Sequence, residues 1–204
     1  MLIGGIMQIL EIAEKIEKSG GRLYMVGGAV RDKFMGIVPK DYDFCVTGME
    51  AEEFSSLFPN AKVRGKSFPV FDLENCEFAL ARIERKVSSG HKGFDIESNK
   101  KITIEEDLRR RDVTINSIAI DVLSNDIIDP YNGVQDIKNK ILRATSEAFS
   151  EDPLRVYRVV KLSARFDFEV EKNTLEMMKS LRDELKTLPN ERIYAELCDA
   201  LSSN

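Results

Sequence analysis

LYMVGGAVRDKFMGIVPKDYDFCV, residues 23–46, is the stretch from which the rest of the chain is read. Its first four residues are an apolar run that predicts a strand ending at Gly27-Gly28. A helix can start at Ala29, and a second strand then carries Asp41 and Asp43. Paired glycines between a strand and a helix let the backbone approach a ligand closely, and a helix N-terminus offers free N–H groups to an anion. In Asp41-Tyr42-Asp43 the strand period of two places both carboxylates on one face. Two such carboxylates repel and call for a cation. Hard oxygen ligands suit Mg²⁺, which commonly bridges to substrate phosphates. A phosphate cradle followed by a metal pair is the equipment of a nucleotidyl transferase.

Composition sets the outer limits. The chain has 204 residues, enough for one core and a second small subdomain. It is 43% hydrophobic and 32% charged, an ordinary soluble composition. No apolar run approaches the ~20 residues of a membrane span, and the N-terminus lacks the pattern of a signal peptide. Cys45, Cys76 and Cys198 are scattered and odd in number, which predicts free thiols in a reducing cytoplasm. The formal net charge of −5 is unexpected for an RNA-binding protein, although a local basic stripe can serve.

Along the chain, residues 7–18 predict an amphipathic helix, with Ile9, Leu10, Ile12, Ala13 and Ile16 inward. Thr47-Gly48-Met49-Glu50 has the form of a capping box and predicts a helix reaching about Phe58. Residues 70–73 and 76–81 predict two strands joined by a tight turn at Glu74-Asn75. The only histidine, His91, lies in a Gly/Ser-rich segment and is assigned no role. Residues 104–110 predict a helix, acidic at its start and basic at its end as the helix dipole favours. Beyond about Ser150 only helical pattern remains: 153–165, 173–184 and 190–201, with Asn173 and Asn190 as N-caps. The expectation is an α+β head, residues 1–149, followed by an all-helical neck, residues 150–204.

GGAVRD followed by KDYDF resembles the signature of the polymerase-β-like nucleotidyltransferases, in particular the class holding bacterial CCA-adding enzymes and poly(A) polymerases. RRDVTINSIAID, IIDPYNG and EDPLRVYRV are similar to further blocks of that class, in the same order. The resemblance implies a reaction in which a tRNA 3′-hydroxyl attacks the α-phosphate of CTP or ATP, with Mg²⁺ on Asp41 and Asp43. It implies Gly27, Gly28, Arg31 and Arg111 as triphosphate contacts, Asp112 as a local structural support, and Glu77 as a candidate third carboxylate. A solvent-facing glutamate in a hairpin is the competing account of Glu77. The region around residues 68–94 resembles the family's flexible loop. Members of the family usually carry further helical domains that grip tRNA, so a chain ending at Asn204 raises the expectation of weak RNA binding. A bacterial poly(A) polymerase and a nucleotide- or RNA-binding module without catalysis are the alternatives.

The segment 151–166 has two readings. Asp152 before Pro153 is a good N-cap with proline at the first helical position, and Arg155, Arg158 and Lys161 could be solvated. The family resemblance implies instead that Asp152 and Arg155 stand in for a base edge, with Arg158 and Lys161 as further nucleotide contacts. A carboxylate can accept from the exocyclic amine of C or A while a guanidinium donates to the ring nitrogen. Uracil and guanine present the opposite pattern there. At Lys161 the family often has Arg, so the charge is kept and the fork is lost.

Overall fold

The computed structural model describes residues 3–65, 69–86, 94–97 and 99–202, so the His91 reading lies outside the described residues. The chain forms two compact units. One comprises Met1–Ile83, Ile96–Leu108 and Ile118–Pro130; the other comprises Glu84–Asp95, Arg109–Ser117 and Tyr131–Asn204.

The first unit opens with α1 (Ile3–Lys18), whose Ile9, Ile12, Ala13 and Ile16 are buried as the period predicts, while Leu10, expected inward, lies at the edge of that face and is exposed. There follow β1 (Arg22–Val26), α2 (Gly28–Phe34), β2 (Asp43–Thr47), α3 (Ala51–Leu57), β3 (Lys62–Arg64), β4 (Val70–Leu73) and β5 (Cys76–Leu80). The short strands β6 (Ile83–Lys86) and β7 (Phe94–Glu97) pair with each other, and their residues 84–86 and 94–95 belong to the second unit. Then come α4 (Ile104–Arg109), β8 (Ala119–Asp121) and β9 (Ile127–Ile128). Seven strands make one sheet in the order β3-β4-β5-β2-β1-β8-β9. Only β2 and β5 run parallel; every other pair in it is antiparallel.

Register divides this sheet into two chemistries. One row of partners reads Val63, Phe71, Phe78, Phe44, Met25, Ile120 and Ile127 across the strands. Its aromatic middle joins the core: Phe44 stacks on Phe78 at 5.1 Å, and Phe54 of α3 lies 4.5 Å from Phe71. The next row, on the opposite face, reads Lys62, Asp72, Glu77, Asp43, Val26, Ala119 and Ile128. A slip of one residue in β4, β5 or β2 would swap phenylalanine for carboxylate, so burial of the aromatic row pins the acidic one. The β4–β5 turn is the expected tight one, with Glu74 and Asn75 both left-handed, at φ 51° and 59°.

Two capping expectations need correction. Thr47 ends β2 rather than capping a helix, and Glu50 caps α3 in a reciprocal box with Glu53. Gly48 turns the chain between them at φ 74°, and a Cβ there would sit 2.7 Å from the Gly20 carbonyl oxygen. Met49 is buried in the core, which fixes the helix start after it.

The second unit contains α5 (Gly133–Asn139), β10 (Ile141–Leu142), α6 (Leu154–Phe166), β11 (Glu169–Val170), α7 (Lys172–Ser180), α8 (Arg182–Leu185) and α9 (Asn190–Ser202). Beyond residue 150 the expectation of helices alone fails at β11, which pairs in parallel with β10. The N-cap of α7 is Glu171, whose carboxylate accepts from the Thr174 amide, and not Asn173. The helix cap therefore falls two residues earlier than Asn173 suggested.

Candidate active site

In the first unit, β1 ends at Val26, the register partner of Asp43, so the glycine turn leaves the sheet beside the first residue of β2. Gly27 has φ 69° and ψ −138°, a backbone that side-chain-bearing residues rarely adopt, and α2 starts at Gly28, one residue earlier than expected. Arg31 is buried and forks onto its neighbour: its Nε and Nη2 donate to Asp32 Oδ1 at 2.9 and 2.7 Å. Gly28 lies against that guanidinium, since a Cβ there would come within 3.4 Å of Nη2. The glycine and the arginine are thus packed together, with Asp32 fixing the arginine.

Asp41 precedes the strand, contrary to the expectation that β2 carries both acids, and Asp43 is its first residue. Both are exposed, whereas Tyr42 between them packs against the core. The alternation places the two carboxylates on the side away from the aromatic row. Glu77 of β5 is the parallel register partner of Asp43, and Asp72 of β4 is the partner of Glu77. Arg64 at the end of β3 holds both of these acids. Its Nε and Nη2 donate to the two Asp72 oxygens at 2.6 Å, and Nη2 also donates to Glu77 Oε1 at 2.6 Å. Arg64 and Asp72 were missed in the sequence because eight and thirteen residues separate Arg64 from its partners. Only alternation along the strands, once their register is known, brings them together.

Two exposed carboxylates with hard oxygen donors fit Mg²⁺ in its usual mode, in which one or two protein carboxylates share the ion with substrate phosphates and water. Among the described residues no group of three or more Asp, Glu, His or Cys is gathered to cage a metal by itself. The donor set therefore suits an ion shared with a substrate.

The second unit holds the other expected residues. Asp112 is fully buried. Its Oδ1 accepts from the Val113 amide at 2.8 Å and from Asn116 Nδ2 at 3.1 Å, while Oδ2 lies 3.1 Å from Arg158 Nη2. Burial alone would raise its pKa, but Arg158, Asn116, the Val113 amide and Arg155 together hold it below the usual carboxylate range. Asp112 in turn raises the pKa of Arg158. Arg111 beside it is half-buried.

On α6, Asp152 Oδ1 accepts from the Leu154 amide at 3.0 Å, the contact of a capping residue. Arg155 is buried and donates at 2.7 Å to the carbonyls of Ala148 and Arg110, joining the turn before the helix to the segment 109–117. Arg158 faces Asp112, and Lys161 donates to Glu196 of α9 at 2.6 Å. Leu154, Lys161, Arg192, Ala195 and Glu196 line a cleft of about 220 Å³ between α6 and α9. The expected nucleotide contacts of this unit thus also hold its structure together.

Residues 23–143 match the family described as "Poly A polymerase head domain", and residues 167–204 the one described as "Probable RNA and SrmB- binding site of polymerase A". The chain is 45% identical over 190 residues to a CCA-adding enzyme of Francisella tularensis subsp. novicida (strain U112), an alignment covering 89% of this chain and 50% of that protein. Among solved structures, the Bacillus stearothermophilus CCA-adding enzyme in complex with CTP superposes with a TM-score of 0.81 at 27% identity, over 97% of this chain and 48% of that one. A complex of CCA-adding enzyme with ATP gives 0.75 at 28% identity, over 97% and 47%. The α+β architecture expected from the sequence is the one these structures have. This chain spans about half the length of the relatives it matches.

Proposed function

Since the chain belongs to the family of the poly(A) polymerase head domain, we propose that it is a template-independent nucleotidyltransferase adding C and A from CTP and ATP to the 3′ end of tRNA. The observation that carries the reading is the exposed acid pair Asp41 and Asp43, set beside the Gly27 turn by the pairing of β1 with β2. The likeness to CCA-adding enzymes, including forms bound to CTP and to ATP, supports these two nucleotides as substrates.

In the reaction the tRNA 3′-oxygen bonds to the α-phosphorus, the bond from that phosphorus to the bridging oxygen breaks, and pyrophosphate leaves. Mg²⁺ held by Asp41 and Asp43 would lower the pKa of the attacking hydroxyl and stabilise charge on the leaving oxygen. Gly27 and Gly28 let the backbone approach the triphosphate without a side chain in the way. Arg31, already oriented by Asp32, and Arg111 supply planar donors for phosphate oxygens. Glu77, the register partner of Asp43, would join the site as its third carboxylate on release from Arg64. Asp152 and Arg155 read the base, supported by Arg158 and Lys161. The helical part from about residue 150 begins the tRNA-binding region, in line with the match over residues 167–204. Three free cysteines and a tRNA substrate suit the cytoplasm. Among the described residues no helix is long and apolar enough to cross a membrane.

The experiment offers the protein a tRNA trimmed of its 3′ end, with each labelled nucleotide in turn and all together. Completion of one CCA end, with UTP and GTP excluded, is expected. An unbounded tail of A would favour poly(A) synthesis, for which the family is named. No incorporation at all would overturn the reading.

A further inference from the structure

We propose that Arg64 is a positioning residue for Glu77: by clamping that carboxylate together with Asp72, it withholds a negative charge from the divalent-ion site at Asp41 and Asp43 and so sets the site's affinity. The inference deepens the proposed function and rests on the metal reading given there.

The argument begins with the acidic row. Asp72, Glu77 and Asp43 occupy consecutive register positions on β4, β5 and β2, one face of the sheet. Neighbouring strands lie about 4.8 Å apart, so three carboxylates in a row repel one another. Glu77 stands in the middle. Its side chain has the length to turn toward either neighbour, and in this structure it turns to Arg64, with Oε1 2.6 Å from Nη2. The same nitrogen and Nε take both Asp72 oxygens. A guanidinium has a rigid flat fork of donors, which here takes both oxygens of one carboxylate and one of another. Glu77 keeps 54% of its side chain exposed, so the clamp is open to exchange with solvent and ions rather than locked in the core. With Glu77 drawn away, Asp41 and Asp43 are the pair that would hold the ion, and the described residues form no three-acid cage.

A cage of three carboxylates would bind a divalent ion tightly even without nucleotide. A two-carboxylate site, completed by water, binds the ion more weakly until the triphosphate adds its oxygens. Arg64 thereby makes tight metal binding depend on substrate.

The test is direct Mn²⁺ binding to the whole chain without nucleotide, followed by the electron paramagnetic resonance signal of free Mn²⁺, with thermal melts as the check on folding. Arg64→Met should lower the Mn²⁺ dissociation constant about three- to tenfold, the size expected of one exposed charge a few ångströms away. In a Glu77→Gln background the same substitution should shift binding by less than about twofold, because the carboxylate it would release is gone. Arg64→Lys keeps the charge but loses the planar fork, and should fall between wild type and Arg64→Met. Lys62→Met removes a charge from the same strand and row, and should leave binding unchanged. Unchanged or weaker Mn²⁺ binding in Arg64→Met would overturn the proposal. So would equal tightening in the Glu77→Gln background, which would reduce the effect to charge at a distance. Asp43→Asn separates the two layers: if it binds Mn²⁺ as well as wild type, the metal reading itself fails, whatever Arg64 does.

Discussion

Asp152 spends one carboxylate oxygen on the Leu154 amide, and its other oxygen lies 3.8 Å from Arg192 Nη2. Capping therefore leaves the second oxygen for the proposed base contact. Asp152→Asn keeps the capping oxygen, since Asn caps as well as Asp, and replaces the second acceptor with a donor. Discrimination against U and G should fall roughly ten- to a thousandfold in relative kcat/KM, the range a pair of desolvated contacts carries. Unchanged selectivity would leave Asp152 as a cap only. Asp112 presents a different test. Its carboxyl is held below the usual range by Arg158 and its hydrogen bonds, so it adds stability that is fully present above the unfolded pKa near 3.8. That contribution disappears as pH falls through the folded value. Asp112→Asn should lower unfolding free energy by about 1–3 kcal/mol at neutral pH, discounted because Arg158 is half exposed and can turn to water. The gap should close below about pH 4, as seen in urea melts at a series of pH values. A constant gap would mean that the Asp112 charge is not what matters.

At the scale of elements, the sequence was most legible where period and turn chemistry agree. The apolar spacing of α1, the acidic start of α4 and the left-handed Glu74-Asn75 turn were all visible, because each depends on neighbours within a few residues. Caps were less legible. Thr47 and Asn173 have the right chemistry, but burial of Met49 and the carboxylate of Glu171 decided where the helices start. Gly48 tests the corrected junction. Any Cβ there meets the Gly20 carbonyl at 2.7 Å and must also adopt a left-handed backbone. Gly48→Ala should therefore cost about 2–4 kcal/mol, read as a shift in denaturant midpoint without loss of slope. A shift under about 0.5 kcal/mol would show that β2 and α3 can separate without strain.

For the whole molecule, the acid pair and glycine turn were readable because both lie within one short stretch of chain. The network of Arg64, Asp72 and Glu77 was not, because it exists only through the register of three strands, and that register is fixed by the phenylalanine row on the other face. Arg155 shows the same limit. Its position on a helix was legible, but the two carbonyls that bury it come from segments 7 and 45 residues away. The account as a whole depends on Asp41 and Asp43 being where nucleotidyl transfer happens. The most direct measurement is the single-turnover rate of adding one C to a trimmed tRNA by wild type and by Asp43→Asn, at saturating CTP and Mg²⁺. The account predicts a fall of at least about a thousandfold with an unchanged or slightly higher melting temperature, because an exposed like-charge neighbour is removed while the fold is untouched. Near-normal addition by Asp43→Asn would contradict it.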